Sequence, residues 1–170
     1  MLAATYNPEK VTFPRMLSEK IDGVAADFYP IVRMSGIRWG VRSRDDKPIM
    51  SVPHILEYLN DTVKPVKGLH LVAELHIAGM DFKDISGISR RKEPDEDTEL
   101  LRMHTYDLYN EGVDEDYIDR YDAILKHMTD LGAIARRIPS YLVNTQEEFD
   151  KVYAKIVDEN YTKRPTGCEG

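Results

Sequence analysis

The segment SEKIDG, residues Ser18–Gly23, lies between two apolar stretches and ends in Asp22-Gly23, a dipeptide typical of tight turns. Such a turn holds Lys20 at the end of a strand. A lysine amine becomes a nucleophile when it loses its proton. Because its free pKa is about 10.4, it needs burial or a neighbouring cation to react near pH 7. A surface lysine before a turn is the simpler interpretation of this segment alone.

Strand-like and helix-like patterns alternate along the rest of the chain. Apolar and β-branched runs predict strands at Val24–Tyr29, Ile37–Ser43, Leu69–Ile77, Met103–Tyr109 and Ala135–Val143. Pro139 bends the last of these or places it at a sheet edge. Helical patterns predict Ser51–Leu59, Phe82–Arg90 and Tyr117–Met128, with Ser51 as a cap, Pro53 in the first turn and Gly132 as a stop.

One further helix is the most clearly marked element. Thr145, with Glu148 three residues later, forms a capping box, and apolar residues then follow at helical spacing: Phe149, Val152, Tyr153, Ile156 and Val157. The chain has no internal repeat and no low-complexity segment. Together the patterns predict an α+β fold, with mostly antiparallel sheets and packed helices, in one domain over residues 1–170.

The composition is that of a globular protein, with 42% apolar and 31% charged residues among 170. No apolar run approaches the length of a membrane-spanning helix, so we expect no membrane partner. Met1–Lys10 has no apolar stretch, so we expect no secretory signal. Cys168 is the single cysteine, which excludes an internal disulfide and argues against a cysteine-based zinc site. A reducing cytoplasm fits best.

The net charge of −7 is awkward for a protein that must neutralise phosphates. The charge is uneven, however. Acidic runs occupy 95–99 and 114–116, whereas basic residues gather in 33–47 and 90–92. Such runs are usually solvated surface. Net charge therefore neither supports nor excludes nucleic acid as a partner.

Further motifs follow SEKIDG in a fixed order. They are Ser43-Arg44 within SRDDKPI, Ala73-Glu74-Leu75 at the end of a strand, SGISRR at 86–91, TYDL at 105–108, and Glu169-Gly170. Each motif is weak, but their order and spacing resemble the motif set of the covalent nucleotidyltransferases: DNA ligases, RNA ligases and mRNA-capping enzymes. Within that superfamily the chain looks most like the adenylation domain of bacteriophage and viral ATP-dependent DNA ligases, from about Phe13 to Gly170.

The resemblance implies a function in DNA replication, repair and recombination and an ATP-grasp-like nucleotidyltransferase fold. Lys20 would attack the α-phosphorus of ATP, expel pyrophosphate and form a covalent lysyl-AMP. Asp22 and Gly23 would shape the turn that presents it. Arg44 would contact the ribose or phosphates and later the nicked DNA end. Tyr106 would stack on adenine, where the family often has Phe.

The resemblance also implies further contacts to the nucleotide and its metal. Glu74 would hold the ribose hydroxyls or a metal-bound water. Glu169 would help to bind Mg²⁺, which prefers carboxylate and water oxygens. Ser18 and Glu19 would lie near the adenine edge, largely through backbone groups. ATP and Mg²⁺ are therefore the expected cofactors.

Nicked double-stranded DNA is the expected partner, with Arg42, Arg44, Arg90 and Arg91 as its contacts. The chain departs from the family two positions after Gly23, where these ligases often have Arg and this chain has Ala25. Arg42 is the candidate substitute. AMP would pass from Lys20 to the 5′-phosphate of the nick, and a 3′-hydroxyl would then seal it.

The larger departure is at the end of the chain. Glu169-Gly170 matches only the start of the family's fourth motif; the later Lys-x-Lys segment and the oligonucleotide-binding-fold domain do not follow. We therefore expect an incomplete adenylation domain that is weak or inactive in nick sealing, and a missing domain or second polypeptide that completes it. An RNA ligase or capping-type transferase remains an alternative. So does a non-catalytic remnant that binds nucleotide or DNA without covalent attachment.

Overall fold

A computed structural model of the protein describes residues 11–128 and 132–161. These form two units: Lys20–Ile138, and a smaller unit drawn from Met1–Glu19 and Pro139–Gly170. In chain order the elements are β1 (Arg15–Ser18), β2 (Val24–Arg33), β3 (Gly36–Ser43), α1 (Pro53–Thr62), β4 (Leu69–His76), α2 (Phe82–Ser89), a 3-10 turn (Thr98–Leu100), β5 (Arg102–Asn110), α3 (Tyr117–His127), β6 (Ala135–Arg137), β7 (Ser140–Val143) and α4 (Gln146–Tyr161).

The larger unit is built on a five-stranded sheet in the order β3-β2-β4-β5-β6. All neighbouring strands are antiparallel except β5 and β6. Helices α1, α2 and α3 cover one face, and the residues buried there include Phe28, Ile55, Leu71, Ile85 and Ile124. Since side chains alternate along a strand, the opposite face carries the polar residues between them. The predicted α+β architecture is confirmed.

Strand β2 is longer than its sequence predicts, because it continues through Pro30 to Arg33. Its pairing with β4 covers only Val24 to Phe28, whereas its pairing with β3 runs to Arg33. Beyond Phe28 one side of β2 is therefore a sheet edge. Pro30, which has no N–H to donate, is tolerated there.

The stretch predicted as one strand, Ala135–Val143, is two strands separated at Pro139. Strand β6 runs parallel to β5 in the larger unit, and β7 pairs antiparallel with β1 in the smaller unit. Strand β1 itself was not predicted. Its four residues, RMLS, are too short to show a clear alternation.

The helix ends agree with the predictions only in part. Ser51 does not cap α1: Val52 takes that place, and the Ser51 hydroxyl donates to the carbonyl of Ser89. In α4 the predicted capping contact is present, since the Glu148 N–H donates to Thr145 Oγ1 at 3.2 Å. No helix among the described residues is long and apolar enough to cross a membrane.

Candidate functional site

Lys20 opens the larger unit, in the turn that leads into β2. Its Nζ lies 3.7 Å from Oδ1 of Asp22, and both side chains are largely exposed, at 80% and 77%. The amine is therefore open to an approaching ligand.

Gly23 is required by the close approach of this turn to β4. A Cβ added there would lie 2.3 Å from the carbonyl oxygen of Leu75 and 3.0 Å from Cγ of Glu74. No other residue fits without moving backbone. The absence of a side chain thus lets the turn that carries Lys20 lie against the end of β4.

Glu74 is the carboxylate around which the site is arranged. It projects from the polar face of β4, opposite Ala25 of β2. Burial raises the pKa of the Glu74 carboxyl, and the charge of Lys20, a hydrogen bond from the backbone of Gly23 and the charge of Arg44 oppose that rise. These groups therefore all act on a single carboxylate.

Tyr106 joins the same group through an irregularity in β5. Val72 pairs with Asp107 and Ala73 with Thr105, so Tyr106 is the extra residue of a β-bulge, a feature that often re-aims a side chain. Its backbone carbonyl accepts a hydrogen bond from the Tyr117 hydroxyl at 2.8 Å. Burial raises the pKa of the Tyr106 phenol, the charge of Glu74 raises it further, and the charge of Arg44 lowers it.

The structure therefore brings together most of the predicted nucleotide contacts: Lys20, Asp22, Gly23, Arg44, Glu74 and Tyr106. Ser18 and Glu19 belong to the smaller unit, where Ser18 ends β1. Glu169 lies outside the described residues.

The arginines predicted to contact DNA differ in their surroundings. Arg42 is held within the protein by Asp27 and Asp46 and lies over the ring of Tyr29. Arg91 donates to Asp95 and Asp97 in the loop after α2. Arg90 ends that helix and is exposed. Arg44 is the member of this set whose charge acts on Glu74 and Tyr106.

A basic cavity of about 250 Å³ beside Glu74 was missed by the sequence analysis. Its walls include His76, Arg102, His104 and Arg136. His104 pairs with Glu74 across the strands, and its Nδ1 accepts a hydrogen bond from Nε of Arg136 at 2.8 Å. Burial, and then the charges of Arg136 and His76, lower the pKa of His104 to about 3.

A signal for this cavity was present in the sequence. Glu74 and His76 are two residues apart on β4, and Arg102 and His104 are two residues apart on β5. Residues two apart on a strand point to the same face of the sheet. Among the described residues, no group of three or more His, Cys, Asp or Glu side chains is placed to hold a metal ion.

Comparison with known proteins identifies the fold. No protein-family model and no curated protein sequence matches the chain. Solved structures do. Chlorella virus DNA ligase-adenylate matches with 20% identity and a TM-score of 0.62, over 93% of this chain and 54% of that one. ATP-dependent DNA ligase from bacteriophage T7, in complex with ATP, matches with 20% identity and a TM-score of 0.55, over 82% and 52%.

A Lig E DNA ligase matches over 93% of this chain and 57% of its own, with 15% identity and a TM-score of 0.64. The chain has the fold of these ligases. It spans about half the length of each of them. At these identities the likeness establishes the fold alone, so the chemistry must be argued from the residues.

Proposed function

We propose that this chain is the adenylation domain of an ATP-dependent DNA ligase, with Lys20 as the residue that becomes covalently attached to AMP. One observation carries the proposal: the turn of Lys20 and Gly23 packs against Glu74 and Leu75, and the charges of Lys20 and Arg44 act on the Glu74 carboxyl, whose charge acts in turn on Tyr106. The ligase fold supports it, since solved examples of that fold include an adenylate and a complex with ATP.

Lys20 is the nucleophile in this proposal. Its Nζ forms a bond to the α-phosphorus of ATP while the bond from that phosphorus to the bridging oxygen breaks, and pyrophosphate leaves. The exposed amine is free to reach the phosphate. It must lose a proton, and Asp22, 3.7 Å away, is the nearest ion-pair partner to accept it directly or through water.

The other residues of the site hold the nucleotide. Glu74 accepts hydrogen bonds from the ribose hydroxyls, Arg44 offsets the negative charge of the phosphates, and Tyr106 provides an aromatic face for adenine. Backbone groups of Ser18 and Glu19 contact the adenine edge, as the family resemblance implies. The nearby charges that act on Glu74 and Tyr106 support this division of roles.

Mg²⁺ is the proposed partner of the nucleotide. Magnesium is usually bound by one or two carboxylates together with phosphate oxygens and water. Glu169 would supply a carboxylate, and Glu74 would hold either the ribose hydroxyls or a metal-bound water. The metal would offset the negative charge of the triphosphate as the amine approaches.

Nicked double-stranded DNA is the proposed second substrate, reached in the cytoplasm. AMP passes from Lys20 to the 5′-phosphate of the nick, and a 3′-hydroxyl then displaces it. Arg44, Arg90 and Arg91 are the proposed contacts to the DNA phosphates. An oligonucleotide-binding-fold domain or a second polypeptide would supply further contacts to the DNA. An RNA ligase or capping-type transferase would use the same first step with a different acceptor or nucleotide.

A non-catalytic nucleotide-binding domain is the second candidate function. The observation in its favour is that the Lys20 amine is largely exposed and lies beside the carboxylate of Asp22. Under this alternative ATP binds but never becomes attached.

Intact-mass spectrometry after incubation with ATP and Mg²⁺ separates these functions. We expect a mass increase of one AMP that is lost in Lys20→Ala and kept in Lys64→Ala, a matched change at an exposed lysine after α1. Attachment of GMP from GTP would favour a capping-type enzyme. ATP binding without any adduct would favour the non-catalytic alternative.

A further inference from the structure

Arg42 forms a bridge between two strands and a turn. Its Nε and Nη2 donate to Oδ2 of Asp27 on β2, at 2.9 and 2.8 Å, and its Nη1 donates to Oδ1 of Asp46 at 3.0 Å. Its guanidinium carbon lies 4.7 Å from the ring centre of Tyr29. Both ends of the planar group are thus engaged, and charge-assisted hydrogen bonds of this kind are the strong ones.

The turn that Arg42 holds is the one that carries Arg44. Ser43 N–H donates to the carbonyl of Lys47 at 2.8 Å, and Asp46 N–H donates to the carbonyl of Ser43 at 3.0 Å. Asp46 has a φ of 60°, a left-handed conformation that is uncommon outside glycine. Its carboxylate is the one that Arg42 binds, so the ion pair helps to retain this conformation.

The other end of the bridge is anchored in a buried network. Asp27 Oδ1 lies 2.9 Å from Nδ1 of His70, and Nε2 of His70 lies 3.1 Å from Oε1 of Glu111. The Tyr109 hydroxyl also lies 3.0 Å from Nδ1 of His70, whose side chain is only 3% exposed. Asp27 is therefore held in place by His70 on β4, which also contacts Glu111 after β5. Arg42 links this fixed carboxylate to Asp46 in the turn.

We propose that Arg42 is a positioning residue: through Asp46 it holds the turn that carries Arg44 and so fixes where the charge of Arg44 is presented to the nucleotide. The inference rests on the proposed function, in which Arg44 contacts the phosphates of ATP. Under this proposal Arg42 supports the site from behind Arg44, because its Nε, Nη1 and Nη2 already engage Asp27 and Asp46. A guanidinium whose donors are engaged at both ends can hold two fixed groups together, and it has few donors left for a phosphate.

A double-mutant cycle tests whether Arg42 acts through Arg44. ATP affinity is measured with Mg²⁺ in a Lys20→Ala background, where binding stays non-covalent. We expect Arg42→Ala to raise the Kd for ATP about fivefold to tenfold when Arg44 is present, and to change it little in an Arg44→Ala chain, because residues that act as a unit are non-additive. Equal effects in both backgrounds, or no effect of Arg44→Ala alone, would overturn the proposal.

Two further variants separate positioning from simple loss of charge. Arg42→Lys keeps the charge but cannot reach Asp27 and Asp46 together, so we expect it to behave like Arg42→Ala. Full affinity in that variant would show that charge alone matters and would contradict the proposal. Arg38→Ala removes an exposed arginine from the same strand and is expected to leave the Kd unchanged.

Amide hydrogen exchange tests the turn without any nucleotide. Arg42→Ala and Asp46→Asn should speed exchange of the Ser43 and Ile49 amides, which donate to Lys47 and Val41, while Asp45→Asn in the same turn should not. Unchanged exchange in Arg42→Ala would refute the bridge. Failure of the unsubstituted chain to bind ATP would instead refute the proposed function, and the exchange data alone would then decide whether Arg42 holds the turn.

Discussion

Two polar clusters lie on the same face of the five-stranded sheet, and they differ in how their charges are satisfied. Around Glu74, Lys20 is 80% exposed, and burial raises the pKa of the glutamate carboxyl. Around His70, both ring nitrogens, the carboxylate of Asp27 and the guanidinium of Arg42 all have close partners. The first cluster is open toward a ligand, and the second is closed on itself.

The difference separates function from support. A buried polar network whose members are satisfied rigidifies a fold, whereas groups left short of partners are typical of binding and catalytic sites. We therefore expect substitutions in the closed cluster to act on stability first. Those in the open cluster should act on nucleotide binding, with little cost to stability.

The largest expected effect is on stability in the closed cluster. His70→Ala leaves Asp27 and Glu111 without their shared partner and removes a ring stacked on Tyr109 at 4.5 Å. We expect a loss of about 2 kcal/mol in the free energy of unfolding, because a buried ring and its hydrogen bonds are lost. Lys20→Ala should change it by less than about 0.5 kcal/mol. Denaturant unfolding of both variants measures the two changes in the free energy of unfolding. Similar losses in both would contradict the distinction between the closed and the open cluster.

The free energy of unfolding should depend on pH through the protonation of His104, which lies beside the open cluster. Its pKa is about 3 in the folded chain and near 6.5 when unfolded, so between these values the unfolded state binds a proton that the folded state does not. Stability should therefore fall as pH falls from 6.5 toward 3, by up to about 1.4 kcal/mol per unit. His104→Gln should flatten this slope in urea titrations at several pH values; an unchanged slope would assign it to other groups.

ATP affinity should depend on the aromatic ring of Tyr106. If the ring stacks on adenine, Tyr106→Ala should weaken binding about tenfold, and Tyr106→Phe should keep it, because stacking is worth about 0.5–1.5 kcal/mol beyond burial. Isothermal titration calorimetry in the Lys20→Ala background gives both constants. Equal losses in the two variants would show that the hydroxyl, and not the ring face, makes the contact.

The smallest effect is a gain in stability on replacing Glu74. Because its pKa is raised in the folded chain, the charged form is disfavoured there, and this penalty is present above the folded pKa and absent below the unfolded one. Glu74→Gln should stabilise the chain at pH 7 by less than about 1 kcal/mol while weakening ATP binding. The gain should vanish near pH 4. A loss of stability at pH 7 would place Glu74 among satisfied structural charges.

The sequence predicts the open cluster better than the closed one. Lys20, Gly23, Glu74 and Tyr106 belong to motifs whose order is readable along the chain, although the bulge that aims Tyr106 is not. The sequence predicts Arg42 only as a substitute for the arginine that is missing at Ala25. Its contact with Asp27, fifteen residues away, could not be predicted because it depends on the β2–β3 register.

The elements themselves show the same limit. Long patterned segments such as Tyr117–His127 are predicted closely, and so is an interruption at Pro139. The pairing of the segments before and after Pro139 with different strands, and the role of Ser51, are not. These features depend on which strand or carbonyl lies nearby in the folded chain. Local pattern contains no such information, so tertiary pairing decides them.

The covalent site of AMP tests the central claim most directly. The chain is incubated with ATP and Mg²⁺, digested at neutral pH to preserve an acid-labile phosphoramidate, and its peptides are sequenced by mass spectrometry. The account predicts one AMP on the peptide that contains Lys20, on the lysine itself. AMP on another residue, or ATP that binds and is recovered without any modified peptide, would contradict it.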